Sequence, residues 1–201
     1  DTESQLVIIA PGADVAKQAA DELNIPVAEA NLDNQGRLSI SKSGSLLTAR
    51  SSVSAPSEDD IALFLHTSGT TSRPKGVPLT HGNLMASLQN IVSTYNLTED
   101  DLAMVVMPLF HVHGLIGVSL SAMKSGGSMV IPPRFSASNF WQIQATTNAT
   151  WYSAVPTIHQ ILLMRADEDE APSESFRFIR SCSAALAPSV FNDLENRFGA
   201  P

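Results

Sequence analysis

Ile61-Ala62-Leu63-Phe64-Leu65 runs through His66 into Thr67-Ser68-Gly69-Thr70-Thr71-Ser72-Arg73-Pro74-Lys75-Gly76. An apolar run that opens into small hydroxyl side chains and glycine reads as a strand ending in a loop. A helical pattern follows from about Gly82 to Tyr95. Strand, small-residue loop and helix in that order are the opening of a βαβ unit.

The same alternation extends in both directions. Downstream, strands are expected at Ala103–Met107, Ser128–Ile131, Trp151–Val155 and Arg177–Arg180. Helices are expected at about Gly114–Lys124, Asn139–Thr147, Ile158–Arg165 and Ser189–Phe198. Upstream, Leu6–Ile9 reads as a short buried strand, Asp14–Leu23 as a helix, and Ile25-Pro26-Val27 as a return to the sheet. Residues 31–60 are rich in Ser, Asn, Asp and Gly and read as a loop or weak hairpin linker. The fold class is therefore α/β, with a largely parallel sheet built from βαβ layers. Residues 1–60 form part of a first subdomain plus linker, and 61–201 hold the loop and a second subdomain. The acidic run Asp167-Glu168-Asp169-Glu170 reads as a solvated loop at a helix end.

Bulk composition narrows the function. Apolar residues make up 43% and charged residues 16% of the 201, which suits a globular core. A net charge of −8 argues against a general nucleic-acid binder, which needs a basic surface. It leaves room for a nucleotide site, where one Lys and a few backbone N–H groups suffice. The single cysteine, Cys182, cannot form an intramolecular disulfide, and this favours a reducing compartment. No apolar run reaches the roughly 18 residues of a membrane span. The chain starts at Asp1 with polar residues and shows no signal peptide, so it reads as an internal piece of a longer protein.

Three segments carry chemistry. In Thr67–Gly76, small side chains would let backbone N–H groups approach phosphate oxygens, hydroxyls would add donors, and Lys75 would neutralise charge. The order is not that of a Walker A loop, because Pro74 precedes the Lys and Gly76 follows it. Composition alone fits a flexible surface turn equally well. Pro108-Leu109-Phe110-His111-Val112-His113-Gly114 lies between an expected strand and helix, where open parallel sheets bind ligands. His111 and His113 are candidates for a substrate pocket, for helix capping or packing, or for zinc, which no further Cys or His cluster supports. Arg180-Ser181-Cys182-Ser183-Ala184-Ala185-Leu186 stands in the same kind of place, with Ser181 and Ser183 as pocket donors or helix caps. Trp151 and Tyr152 read chiefly as core, and His159 as a packing or surface residue within reach of the pocket.

The ordered string Thr67–Gly76, with Val77-Pro78-Leu79-Thr80-His81-Gly82 after it, resembles the signature loop of the AMP-forming acyl-activating superfamily, roughly Thr-Ser-Gly-Thr-Thr-Gly-x-Pro-Lys-Gly. Ser72 stands where most relatives have Gly, and Ser-Arg-Pro-Lys-Gly-Val-Pro-Leu-Thr looks like the oxalate–CoA ligase branch. Residues 108–114 resemble the aromatic-His motif that lines the carboxylate pocket. His113 falls where coumarate-type ligases tend to have an aromatic residue, and a potential cation there suits an acid with a second polar or acidic end. Residues 180–186 resemble the family's Ser-Gly-Ala-Ala-Pro-Leu stretch, with Ser183 where Gly is frequent.

The resemblance implies a fragment of the large N-terminal domain of an adenylate-forming enzyme. It implies ATP, Mg2+ and coenzyme A as reactants and a small carboxylic acid, oxalate above others, as partner. Catalytic roles fall to Lys75 and His113. Thr67, Ser68, Gly69, Thr70, Thr71, Ser72 and Lys75 would bind the nucleotide, and His111, His113, Ser181 and Ser183 the acid. A coumarate-like or medium-chain acid and a non-catalytic nucleotide-binding module are the alternatives. The family's Tyr-Gly-x-Thr-Glu and Ser/Thr-Gly-Asp motifs do not occur, so residues 1–201 alone are expected not to form thioesters. A cytoplasmic or peroxisomal location is expected, with no targeting signal visible.

Overall fold

Trp151-Tyr152-Ser153-Ala154 is buried at all four positions, the signature of a central strand covered on both faces. The computed structural model describes residues 2–42, 45–46, 52–67, 74–166 and 176–201, with only the backbone given at 45–46. By internal contacts the chain divides into two compact units, Asp1–Leu79 and Thr80–Pro201.

In the first unit, β1 (Val7–Ile9) and β2 (Val27–Leu32) pair in parallel across helix α1 (Asp14–Glu22). Asn24 ends that helix at φ 54°, a left-handed conformation that asparagine tolerates better than most residues. β2 turns back antiparallel into β3 (Leu38–Lys42), which pairs with β4 (Ser45–Leu46). The turn is held by the Asp33 carboxylate, which accepts from the backbone N–H of Arg37 and Gln35 and from the Arg37 guanidinium. Of the two readings of residues 31–60, the hairpin is what forms at 27–42. β5 (Ile61–Thr67) pairs with β6 (Lys75–Thr80). Here the sequence reading is corrected: Lys75 and Gly76 belong to a strand, not to a loop that continues to a helix. A Cβ on Gly76 would fall 2.7 Å from Cε1 of Phe64 and closer still to Cζ, so the strand needs glycine where that ring crosses it.

In the second unit, β7 (Leu102–Met104), β8 (Ser128–Val130), β9 (Trp151–Ala154) and β10 (Phe178–Ser181) form an all-parallel sheet in the order β10-β9-β7-β8. α2 (His81–Tyr95) precedes it, started by a Thr80–Asn83 capping box. α3 (Val112–Gly114), a π-helical turn (Leu115–Leu120) and α4 (Ser121–Lys124) follow one another between β7 and β8. α5 (Ala137–Thr147), α6 (Pro156–Arg165) and α7 (Pro188–Phe198) follow β8, β9 and β10. Period-2 alternation sorts the core into two layers. Ala103, Val105, Trp151 and Phe178 pack on one face with Leu97, Val118 and Ala122. Met104, Tyr152 and Ala154 pack on the other with Phe140, Trp141, Leu162, Leu194 and Phe198. Helices thus cover both faces, as an all-parallel sheet requires.

The entry end of this sheet is fastened by Asp101, which is 4% exposed. Its carboxylate accepts two hydrogen bonds from Arg177, at 2.9 and 2.8 Å, one from the Thr98 backbone N–H and one from the Thr150 hydroxyl. Burial alone would raise its pKa; the hydrogen bonds from Arg177, Thr98 and Thr150 and the Arg177 charge outweigh burial and hold it below the usual carboxylate range. No described helix is long and apolar enough to cross a membrane.

Candidate functional site

The chain leaves adjacent strands β7 and β9 in opposite directions: β7 leads to β8 on one side, β9 to β10 on the other. Their carboxyl ends therefore flank a topological switch point, where open α/β sheets bind ligands. The segment Met107–Gly114 turns tightly there. His111 N–H donates to the Pro108 carbonyl, and the His111 carbonyl accepts from Leu115. His111 caps the helix: its Nδ1 accepts from the backbone N–H of His113 at 3.1 Å. A Cβ on Gly114 would lie 2.5 Å from the Met107 carbonyl oxygen and closer still to that of Pro108, so only glycine lets the backbone fold back on itself.

That turn delivers His113 into the sheet's interior, where it is 3% exposed. Its Nε2 lies 2.7 Å from Oγ of Ser153, and its Nδ1 lies 3.0 Å from Oγ of Ser183. Ser153 is fully buried and Ser183 exposed, so the three side chains form a row from core to surface. Burial, reinforced by the positive charge of Arg180 and by His111 and His159, pulls the His113 pKa down to about 4. The imidazole is neutral near pH 7: one ring nitrogen donates and the other accepts. His113 is thus a neutral hydrogen-bonding group, and its sequence reading as a potential cation is corrected by its burial.

Ser183 adopts φ 72°, in the left-handed region. A glycine takes this conformation freely, whereas a Cβ is strained there. The serine accepts that strain and in return places a hydroxyl against His113. Ser181 goes elsewhere. Arg180 pairs with Ser153 and Ser181 with Ala154 across β10 and β9, so alternation puts Ser181 on the opposite face from His113. Ser181 lines a cavity of about 250 Å³ with Ile179, Leu186, Phe191 and Leu194. His111 is exposed beyond its capping role.

Of the phosphate-loop residues, Thr67 ends β5 and Lys75 begins β6, both exposed in the first unit. Ser68, Gly69, Thr70, Thr71 and Ser72 lie outside the described residues, as does the acidic run Asp167–Glu170. Among the described residues no three His, Cys, Asp or Glu side chains stand close enough together to hold a metal ion. A cavity of about 660 Å³ opens at the ends of β7 and β8 between Met107, Phe110, Ile131, Arg134, Phe135 and Ile158. It is mainly apolar and does not include His113.

Two residues of the site were not singled out from the sequence. Ser153 is a hydroxyl in an otherwise apolar buried strand, and that intrusion is the signal. The other is Arg180, read only as a strand residue and part of a motif, and half-buried beside the row. His159 hydrogen-bonds through Nδ1 to the Tyr152 hydroxyl at 3.1 Å and is fully buried, so it is a packing residue.

A doubly covered parallel sheet with a polar row at its switch point defines an α/β domain of the small-ligand-binding kind. The chain matches the AMP-binding enzyme family over residues 1–201 and belongs to it. It is 50% identical over 208 residues to a probable CoA ligase, CCL9, of Humulus lupulus, covering 100% of this chain and 40% of that protein. It is 49% identical over 209 residues to an oxalate–CoA ligase of Arabidopsis thaliana, again covering 100% of this chain and 40% of that protein. Among solved structures it resembles ATP-bound MatB from Rhodopseudomonas palustris, with a TM-score of 0.76 and 27% identity over 99% of this chain and 39% of that one. The chain therefore spans about 40% of the length of the curated relatives it matches.

Proposed function

We propose that the whole protein activates a small dicarboxylic acid, oxalate first among them, with ATP and passes the acyl group to coenzyme A. The observation that carries this reading is the row Ser153–His113–Ser183 at the switch point of a domain of the AMP-binding enzyme family. A polar row set in a protein core favours an acid that can use hydrogen bonds, because an apolar acid would leave the exposed hydroxyl end unsatisfied. The likeness to an oxalate–CoA ligase supports the same acid.

In the reaction, a carboxylate oxygen attacks the α-phosphorus of ATP, the α–β phosphoanhydride bond breaks, and pyrophosphate leaves. The CoA thiol, losing its proton, then adds to the acyl carbonyl and AMP departs. Such chemistry depends on positioning and charge stabilisation. Lys75, with Thr67, the Gly69 backbone and the hydroxyls of Ser68, Thr70, Thr71 and Ser72, serves the polyphosphate; His113 and Ser183 serve the acid.

The test is acid-dependent ATP–pyrophosphate exchange by the full-length protein with oxalate, malonate, coumarate and octanoate. Exchange driven by oxalate or malonate is expected. Exchange with coumarate or octanoate alone overturns the dicarboxylate assignment, and exchange with none of them reduces the protein to a nucleotide-binding module. In the same assay Lys75→Ala should slow exchange about ten- to hundredfold, since one charge-assisted hydrogen bond contributes roughly 1.5–3 kcal/mol. An unchanged rate would leave Lys75 without a role at the polyphosphate.

A further inference from the structure

Three arginines of the described chain are placed differently. Arg37 and Arg177 hydrogen-bond to carboxylates, those of Asp33 and Asp101. Arg180 is half-buried and pairs with no carboxylate among the described residues; its contacts are a carbonyl, a thiol and a ring. Nη1 donates to the Gly117 carbonyl at 3.0 Å, and Nη2 lies 3.7 Å from the Cys182 sulfur. The guanidinium carbon sits 5.5 Å from the centroid of the Tyr95 ring. A partly desolvated cation with neutral neighbours is costly unless an anion or a structural task repays it.

Its position supplies both. Arg180 stands opposite Ser153 in the β10–β9 register, on the face that His113 enters. Gly117, whose carbonyl it binds, lies within the π-helical turn that begins two residues after His113. π-helical turns inside helices are frequent at functional sites. A Cβ on Gly117 would lie 3.0 Å from Arg180 Nη1 and 3.6 Å from His113 Cδ2, so the bare glycine is where guanidinium and imidazole come together.

We propose that Arg180 is a positioning and specificity-determining residue of the acid site: it ties β10 to the π-helical turn at Gly117, fixes His113 between Ser153 and Ser183, and supplies the positive field that a dianionic acid meets there. This rests on the proposed activation of a dicarboxylic acid. The neutral His113 supplies hydrogen bonds, and the net charge for the second carboxylate comes from Arg180. The titratable or charged groups that act on His113 are Arg180 from β10, His111 from its own turn, and His159 from α6. Arg180 alone among them carries a fixed charge, and its proximity contributes to keeping His113 neutral.

The experiment uses the full-length enzyme with Arg180→Gln, Arg180→Lys and Gly117→Ala. The added methyl of Gly117→Ala presses only on the end of the flexible Arg180, the His113 ring and the Val112 carbonyl being at ordinary contact distance, so it moves the guanidinium while sparing the fold. Two quantities are read: the ratio of kcat/KM for oxalate to that for acetate, and the imidazole 15N titration of His113. Arg180→Gln should lower the ratio at least tenfold and move the His113 titration upward from about 4. Arg180→Lys should keep the titration low while losing part of the ratio, because the charge stays and the fork is lost. Gly117→Ala should lower the ratio with an unchanged melting temperature. An unchanged ratio and an unchanged titration in Arg180→Gln overturn the proposal, as does an equal fall for both acids. If Arg180→Gln does not fold, Gly117→Ala decides: an unchanged ratio there overturns it. If the wild-type enzyme activates no dicarboxylic acid, the proposed function fails by itself, and the titration still shows whether Arg180 governs His113.

Discussion

Ser183 sets two effects of similar size against each other. Its left-handed backbone costs on the order of 1 kcal/mol for any residue with a Cβ, and Gly would relieve that. Its hydroxyl satisfies Nδ1 of a buried imidazole, and losing that partner costs about 1–3 kcal/mol. Ser183→Ala keeps the strain and loses the bond, so urea unfolding should show a loss of about 1–3 kcal/mol. Ser183→Gly loses the bond but sheds the strain, and should be about 1 kcal/mol more stable than the Ala variant. Equal stability of the two would mean that Ser183 is unstrained in solution. The histidines give a pH dependence at the same scale. Burial, chiefly, brings both His113 and His159 down to about 4 in the folded state, against an ordinary value near 6.5. Between those values the unfolded chain binds more protons than the folded one. Folding stability should therefore be complete above about pH 6.5 and fall as the pH drops towards 4. Urea midpoints measured across that window check it, and His113→Asn should flatten the slope.

At the scale of elements, the turn from Met107 to Gly114 decides whether His113 arrives at all. Gly114 has backbone oxygens on the side where a Cβ would go, and backbone cannot swing aside. Gly114→Ala should cost about 2–4 kcal/mol and displace His113, because overpacking against main chain has no cheap relaxation. Circular dichroism melts of the variant, with the 15N shifts of His113, would register both effects; a melting temperature within a degree of wild type would rule the argument out. Gly117, three residues on, is crowded only by the end of Arg180, with the His113 ring and the Val112 carbonyl at ordinary contact distance. The two glycines look alike in sequence and differ because one abuts carbonyls and the other a movable side chain.

At the scale of the second unit, chemistry and fastening occupy opposite ends of the sheet. The carboxyl ends of β7 and β9 hold the histidine row, while Asp101 joins Arg177, Thr98 and Thr150 where the strands begin. Asp101→Asn should lower stability by about 1–3 kcal/mol, since it weakens a buried, multiply bonded carboxylate whose partner Arg177 is 42% exposed and screened. The ratio of oxalate to acetate kcat/KM in the full-length enzyme should not change. Because the Asp101 pKa is depressed, its contribution is present above the ordinary aspartate value of about 3.9 and is lost as the pH falls below it. A variant as stable as wild type at pH 7, or one that shifts the substrate ratio, would contradict this division.

Much of this protein is written in local pattern. The alternation of apolar runs and helical spacing from Leu102 to Phe198 carries the parallel sheet and its helices, because strand and helix periods are properties of short stretches. The small-residue string Thr67–Gly76 and the Pro108–Gly114 motif carry the family, because chemistry needs those residue types in that order. Other features depend on residues far apart in the chain. The pairing of Lys75–Thr80 with Ile61–Thr67 overrode a stretch that reads as loop. Ser153 and Ser183 meet at one imidazole although they lie 40 and 70 residues from His113. Ser181 and Ser183 are two residues apart, yet strand alternation sends the first away and a left-handed turn brings the second in. The charge state of His113 is likewise tertiary: an ordinary imidazole titrates near 6.5 and stands between its two forms around neutral pH, whereas burial beside Arg180 holds this one neutral well below it.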